Sequence, residues 1–253
     1  MKLHRIEGYI QDIWLVEESW GLMLLDGASR ADVGTICDFI NKQLHRPLND
    51  LKIVVVTHMH PDHAGGARAL RQVCKAQIVS ANVPGQWYRG IDGLLMHLTD
   101  ILLAHWVAGR MRKRRRLIWY SPYITPDIAL NDGDSIPGFE QWKVLFTQGH
   151  TDRDLTLWHQ PSNRVYVADL MVKVKQRFIP PYPVFYPNRY KASLQRVRHL
   201  SPTSILLAHG GEVRLTAEDF DYLENKAPER PATHWRSVKT KLARIFGLQA
   251  TSN

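Results

Sequence analysis

Three imidazoles and one carboxylate fall within six residues of the chain, in His58-Met59-His60-Pro61-Asp62-His63. Imidazole and carboxylate are the donors that suit divalent zinc, with iron or manganese as further candidates. A tight loop can turn all four toward one point. His58 and His60 stand two residues apart on one extended turn, while Asp62 and His63 are adjacent and can face a neighbouring metal position. More donors follow where strands are expected to end. His150 comes after a run at 142–146, Asp169 after 164–168, and His209, before Gly210-Gly211, after 204–208. Side chains that do chemistry often sit at such ends in layered α/β folds. These five histidines and two aspartates suit a two-metal site that Asp169 could bridge.

The elements that must position them are legible as periodicity. Apolar runs at 10–16 and 22–25 read as an antiparallel pair. Val33, Ile36, Cys37, Ile40 and Leu44 keep helical spacing, with Pro47 beyond the stop. The β-branched run 53–56 predicts a buried strand leading directly into the histidine loop. A helix over 64–73 and a strand over 76–80 complete a βαβ-like unit. The second half predicts strands at 142–146, 155–159, 164–168 and 204–208. It also predicts helices at 190–199 and 216–225, the latter with Thr216 as a cap. Each half supplies strands first and helices afterwards. That order implies two sheets packed face to face, with helices outside, in one domain over 1–229. A basic amphipathic segment, 230–253, follows.

Composition narrows the classes. Of the 253 residues, 44% are hydrophobic and 23% charged, which excludes collagen, coiled-coil and mucin-like chains. The longest apolar runs fall short of the ~20 residues that cross a bilayer. The start has no uninterrupted apolar signal core, so a cytoplasmic location is expected. The net charge of +9 is concentrated in two patches. Six of the seven residues from Arg110 to Arg116 are basic, and five Lys/Arg residues with no acid follow from Arg230 onward. No nucleic-acid-binding module surrounds either patch, so no specific nucleic acid is expected. Cys37 and Cys74 are read as reduced core thiols; two cysteines allow one disulfide but no framework.

The ordered donor set resembles the metallo-β-lactamase superfamily. That family's His-x-His-x-Asp-His motif is matched by His58, His60, Asp62 and His63. Its Thr-x-Gly-His-Thr context is matched by Thr147-Gln148-Gly149-His150-Thr151, and its bridging aspartate by Asp169 after Val165-Tyr-Val-Ala. Its late histidine before glycine is matched by His209, and its early Asp-Gly by Asp26-Gly27. The resemblance covers about residues 5–215, apart from an insert. It implies an α/β fold, a four-layer αββα sandwich with the metals at one edge. It further implies one zinc on His58, His60 and His150, a second on Asp62, His63 and His209, and Asp169 between them. A zinc-bound hydroxide would attack an ester, thioester, lactone or related small molecule. Asp62 would orient it or protonate the leaving group, and Asp26 would buttress the loops. Alternatives are a phosphodiesterase or nuclease-like hydrolase of the same fold, and a metal-bearing binding protein without catalysis. Two departures stand out: Asp152 and Arg153 replace a neutral turn after His150, and Leu170-Met171-Val172 follow Asp169 where some family lactonases carry a tyrosine. Tyr182, Tyr186 and Tyr190 are the substitutes within reach.

Residues 85–126 interrupt the rhythm and read as a helical insert. The stretch 94–107 is apolar, broken by His97, Asp100 and His105. Three readings stay open: a core or homodimer helix, a lid or wall over the metal cleft, and a peripheral membrane-surface helix. The adjoining basic run suits phosphate, a carboxylate substrate, an anionic bilayer or a solvated helix end. The stiff aromatic stretch 178–187 could form an opposing cleft wall. A hydrophobic or anionic small molecule is the expected partner.

Overall fold

A computed structural model describes residues 1–233 of the chain. The first sheet holds β1 (Lys2–Glu7), β2 (Asp12–Glu18), β3 (Gly21–Leu24), β4 (Leu51–Val56), β5 (Gln77–Ala81) and β6 (Ile128–Leu130), side by side in that order. The first three strands are antiparallel neighbours, and β3 to β6 run parallel. Its connections are α1 (Val33–Asp38, continued by a π-turn through Gln43), α2 (Pro61–Ala64), α3 (Ala67–Cys74) and α4 (Gly90–Arg110).

The second sheet is built from β7 (Ser135–Ile136), β8 (Phe139–Phe146), β9 (Leu155–His159) and β10 (Arg164–Tyr166). A small hairpin of β11 (Val172–Val174) and β12 (Arg177–Ile179) and the helix α5 (Pro187–His199) then precede β13 (Ser204–Leu207) and β14 (Gly211–Val213). The order across this sheet is β14-β13-β10-β9-β8-β7. The last described helix is α6 (Ala217–Lys226), capped by Thr216 in a reciprocal capping box with Asp219.

Strand alternation explains the layering. In β4, Val54 and Val56 join the cluster under α1, α3 and α4, while Ile53 and Val55 face the second sheet. Leu15 and Trp14 divide in the same way on β2. In the second sheet, Leu206 faces inward and Ile205 and Leu207 pack beneath α5 and α6. Three apolar cores therefore separate four layers, an αββα sandwich. Strands covered on both faces read as unbroken apolar runs. Each fully buried Val, Ile or Leu contributes about 1.5–3 kcal/mol relative to exposure.

Several expected elements change in detail. β1 precedes the expected pair; its mostly exposed and half-buried residues give no clear apolar period. The helix expected over 64–73 is two helices, because the chain breaks at Gly65-Gly66. A Cβ on Gly65 would collide with the Pro61 carbonyl oxygen. Strand β10 stops at Tyr166, so Asp169 lies on a short 3-10 turn rather than at the strand end itself. The apolar stretch 94–107 belongs to a longer helix. α4 is 21 residues long and contains an 18-residue stretch of mean hydropathy 1.2, the length and composition that the shorter stretch lacked for crossing a bilayer. Cys37 and Cys74 are free thiols. The expected basic segment from Arg230 onward lies outside the described residues beyond position 233.

Candidate metal centre

Strands β8, β10 and β13 run in the same direction, since β9 is antiparallel to both β8 and β10, and β10 is parallel to β13. The loops that follow them carry His150, Asp169 and His209, and they meet the loop after β4. Direct bonds hold two of these loops: Leu155 N–H, at the start of β9, donates to the Thr57 carbonyl at 3.2 Å, and Asp12 N–H, at the start of β2, to the Ala208 carbonyl at 2.7 Å. All seven side chains singled out in the sequence come together here in two groups. His58, His60, His150 and Asp169 form one; Asp62, His63 and His209 form the other, with donor atoms within 4.8 Å of one another in each group.

In the first group His60 Nδ1 lies 3.2 Å from His58 Nε2 and 2.8 Å from His150 Nε2. Asp169 stands between the groups. Its Oδ2 is 3.5 Å from His150 Nε2, and its Oδ1 is 3.3 Å from His63 Nε2 and 3.5 Å from His209 Nε2. Asp62 Oδ2 is 3.2 Å from His209 Nε2 and 3.6 Å from His63 Nε2.

The outward nitrogen of each ring is held by the fold. His63 Nδ1–H donates to Asp26 Oδ2 at 2.6 Å, His150 Nδ1–H to the Pro183 carbonyl at 2.5 Å, and His209 Nδ1–H to the Ile10 carbonyl at 3.0 Å. These bonds turn each Nε2 toward the centre of the site, the usual way a metal-ligating histidine is oriented. His60 is turned the other way, with Nδ1 inward and Nε2 3.7 Å from Asp100 Oδ2 on α4. Asp26 also accepts from Thr57 Oγ1 at 2.8 Å and from the Tyr166 hydroxyl at 2.9 Å.

Electrostatics divide the two groups. Burial and the neighbouring His63, His60 and His150 keep the pKa of His58 well below the imidazole range. Burial, with His60 beside it, pushes His150 down to about 4. Both rings are therefore neutral at pH 7, the state that donates a lone pair to a metal. His63 is the opposite case. Burial opposes its charge, but the carboxylates of Asp169, Asp62 and Asp26 outweigh burial and raise it well above 6.5. His209 is raised against its own burial by Asp62 and Asp169. Asp169 is held well below the carboxylate range, despite burial, by His63, His209 and His150.

These residues fit a divalent cation. His63 Nε2 and Asp169 Oδ1 are buried without a hydrogen-bond partner and face each other. Three inward imidazole nitrogens of the first group have mainly one another as neighbours. Burying such donors without a compensating partner is costly, and a cation would satisfy them together. At His63 and His209, whose hold on a proton the neighbouring carboxylates strengthen, a cation would compete with that proton.

The donors open into a cavity of about 1140 Å³. On one side α4 presents Leu103, Ala104, Trp106 and Val107; on the other stand Pro181, Tyr182 and Pro183. Helix α4 thus forms one wall, and the stiff stretch after β12 forms the other. Tyr182 lines the cavity, whereas Tyr190 is fully buried beneath Gly149. Asp152 and Arg153 pair with each other at 2.8 Å, and Arg153 reaches the Gly85 carbonyl at 3.2 Å, which pins the start of the insert.

Residue reading did not find Asp100, Tyr166 or the carbonyls of Ile10 and Pro183. Only Asp100 left a signal: a carboxylate inside an apolar helix must be exposed or have a partner. It is buried, takes a hydrogen bond from the Tyr88 hydroxyl at 2.8 Å, and faces His60.

The comparisons agree with this geometry. The family model described as "Metallo-beta-lactamase superfamily" matches residues 6–210. The curated protein "Probable metallo-hydrolase YqjP" of Bacillus subtilis (strain 168) is 27% identical over 199 residues; the match covers 72% of this chain and 62% of that protein's length. The crystal structure of the metallo-beta-lactamase family protein TTHA1429 from Thermus thermophilus superposes with a TM-score of 0.67 at 17% identity. It covers 96% of this chain and 82% of that one. The archaeal superfamily protein ST1585 from Sulfolobus tokodaii gives a TM-score of 0.59 at 20% identity, with 88% and 84% coverage.

Proposed function

The chain belongs to the metallo-β-lactamase superfamily, and from that premise we propose that it is a dinuclear zinc hydrolase of an ester, thioester or lactone bearing an apolar group. One observation carries the dinuclear reading: the two oxygens of Asp169 each face a different donor group. His58, His60 and His150 would hold one ion, Asp62, His63 and His209 the other, and Asp169 would touch both. Zinc bound there supplies Lewis acidity and brings the pKa of water toward ~7.

The chain's own residues do the rest. Asp26, Pro183 and Ile10 fix three imidazoles with Nε2 inward, so the site is organised before substrate arrives. Asp62 borders the cavity, and its carboxylate would orient the attacking water or return a proton to the leaving group. Leu103, Trp106 and Val107 cover an apolar substituent and exclude water.

The test compares the parent with Asp169→Ala and His150→Ala, reading bound metal by elemental analysis and turnover on an ester, thioester and lactone panel. Metal and turnover should fall together. Full turnover in a folded, metal-free Asp169→Ala protein sinks the reading. A second reading rests on Arg5, Arg110, Lys113 and Lys173, which also line the cavity. Arg5 is paired with Asp12 and Lys113 with Glu7, so Arg110 and Lys173 carry this reading; turnover of simple phosphodiesters far above carboxyl esters would assign phosphodiester hydrolysis instead.

A further inference from the structure

Helix α4 is built inside out. Its buried positions include His97 and Asp100 beside Gly93, Ile101, Ala104 and Ala108. Its exposed positions include Ile91, Leu94, Leu95, Leu98, Leu102 and Trp106. Residues 91, 95, 98, 102 and 106 are spaced by three or four and lie on one stripe. Ile91 is 80% exposed, Leu102 65% and Trp106 59%. A helix at a protein–water boundary has the reverse distribution. Beyond the helix, Met111, Leu117, Trp119 and Tyr123 are exposed as well. An exposed apolar stripe of this kind marks an interaction site.

The neighbouring charges identify the partner. Arg112, Arg114 and Arg115 are exposed directly after the helix, and no Asp or Glu occurs between Asp100 and Asp127. The Arg110 guanidinium lies over the Trp106 ring at 5.3 Å. Leucines flanked by tryptophan and arginine match a boundary between acyl chains and anionic headgroups.

We propose that the outward face of α4 and the basic run after it dock on the surface of an anionic lipid bilayer. The helix lies on the membrane and does not cross it. It leaves β5 and returns to β6, adjacent parallel strands of one sheet, so both its ends are tied to the same side. Its inner face, with His97 and Asp100, is packed on the domain. Ile91, Leu95, Leu98 and Leu102 enter the acyl boundary, and Arg112, Arg114 and Arg115 meet headgroup charge. Docking brings the cavity walled by the same helix to the lipid surface. The proposal concerns the surface alone and stands whether or not the cavity hydrolyses esters.

The test is flotation of the full chain with vesicles of phosphatidylcholine alone or with about 30 mol% phosphatidylglycerol. Binding is expected on the anionic vesicles and should weaken as salt rises from about 0.05 M to about 0.5 M. The triple variant Arg112→Glu, Arg114→Glu, Arg115→Glu should lose about 100-fold or more in partitioning. The variant Leu95→Glu, Leu102→Glu should also fail to bind, with metal content unchanged. These side chains are exposed, so the substitutions leave the core intact; circular dichroism checks this. Independently, brominated acyl chains should quench parent fluorescence more than that of Trp119→Phe. Equal binding by parent and both charge variants overturns the proposal. So does a parent that ignores anionic vesicles and is a dimer which Leu95→Glu, Leu102→Glu makes monomeric, since the face would then be a contact between copies.

Discussion

Asp26 holds three side chains at once: His63, Thr57 and the Tyr166 hydroxyl. Its carboxylate joins the histidine loop to the second sheet. Asp26→Ala leaves those buried groups unpaired and frees the His63 ring. It should lower metal affinity by about 10–100-fold and stability by about 2–4 kcal/mol, read by competition with a chromogenic chelator and by denaturant unfolding. Retained affinity would mean that packing alone orients His63. Asp32 offers a pH test at a group outside the donor set, although the charge of Asp62 adds to its shift. It is buried and accepts from the Tyr9 N–H at 2.7 Å and the Ser29 N–H at 3.3 Å. Burial raises its pKa from 3.8 to about 6, against those two N–H bonds and Arg116. The folded state therefore holds this proton more tightly than the unfolded state. The resulting stability is complete below about pH 4 and is lost as pH rises through about 6, amounting to about 3 kcal/mol at roughly 1.4 kcal/mol per pH unit. Asn does not titrate, so Asp32→Asn should gain about that much relative to the parent between pH 4 and 7. A stability difference independent of pH would refute the assignment.

The loop between β8 and β9 and helix α4 are the elements that set the first donor group. Gly149, immediately before His150, has φ +152°, and a Cβ there would lie 2.5 Å from Tyr190 Cα at the start of α5. Neither the backbone conformation nor the space admits a side chain. Gly149→Ala should push the loop off α5, destabilise the fold by about 1–3 kcal/mol or more, and weaken metal binding through misplaced His150. Full metal affinity with unchanged melting would show that the loop relaxes freely. Helix α4 contributes to the donors from its inner face. Asp100 faces His60, and the Tyr120 hydroxyl beyond the helix donates to the Met59 carbonyl within the histidine loop. Shortening the insert would therefore not spare metal binding, contrary to what the positions of the donors alone imply. Asp100→Ala should lower metal affinity by about tenfold or more, measured by the same chelator competition, while Leu95→Glu on the outer face should not change it.

Across the whole molecule, the cavity runs between α4 and the segment around Tyr182, with the donors at its base. Leu103 and Val107 line the same cavity as His60, Asp62, Asp169 and His209. Each buried methylene contributes ~0.8 kcal/mol, so three could favour a longer acyl chain by roughly fiftyfold before ordering costs. Leu103→Ala with Val107→Ala should reduce the ratio of kcat/KM for long over short acyl substrates by about tenfold and leave bound metal unchanged. A constant ratio would remove α4 from substrate selection. That comparison uses point substitutions because Asp100 and Tyr120 tie the insert to the donor loop.

The local sequence was sufficient to single out the side chains that cluster and the layers that carry them. Histidine and aspartate types are explicit, His58 to His63 are contiguous, and strands covered on both faces show as apolar runs at 53–56 and 204–208. Those signals depend on burial within one element, which periodicity records. Contacts between elements are different, because sheet order brings Asp26 to Tyr166 and Asp100 to His60, and no spacing along the chain encodes those distances. The orientation of α4 belongs to this second kind. Apolar residues occupy several of its faces, so the pattern alone does not say which side turns inward. Tertiary structure decides it, because Asp100 and His97 find polar and aromatic neighbours inside, leaving the leucines to face out.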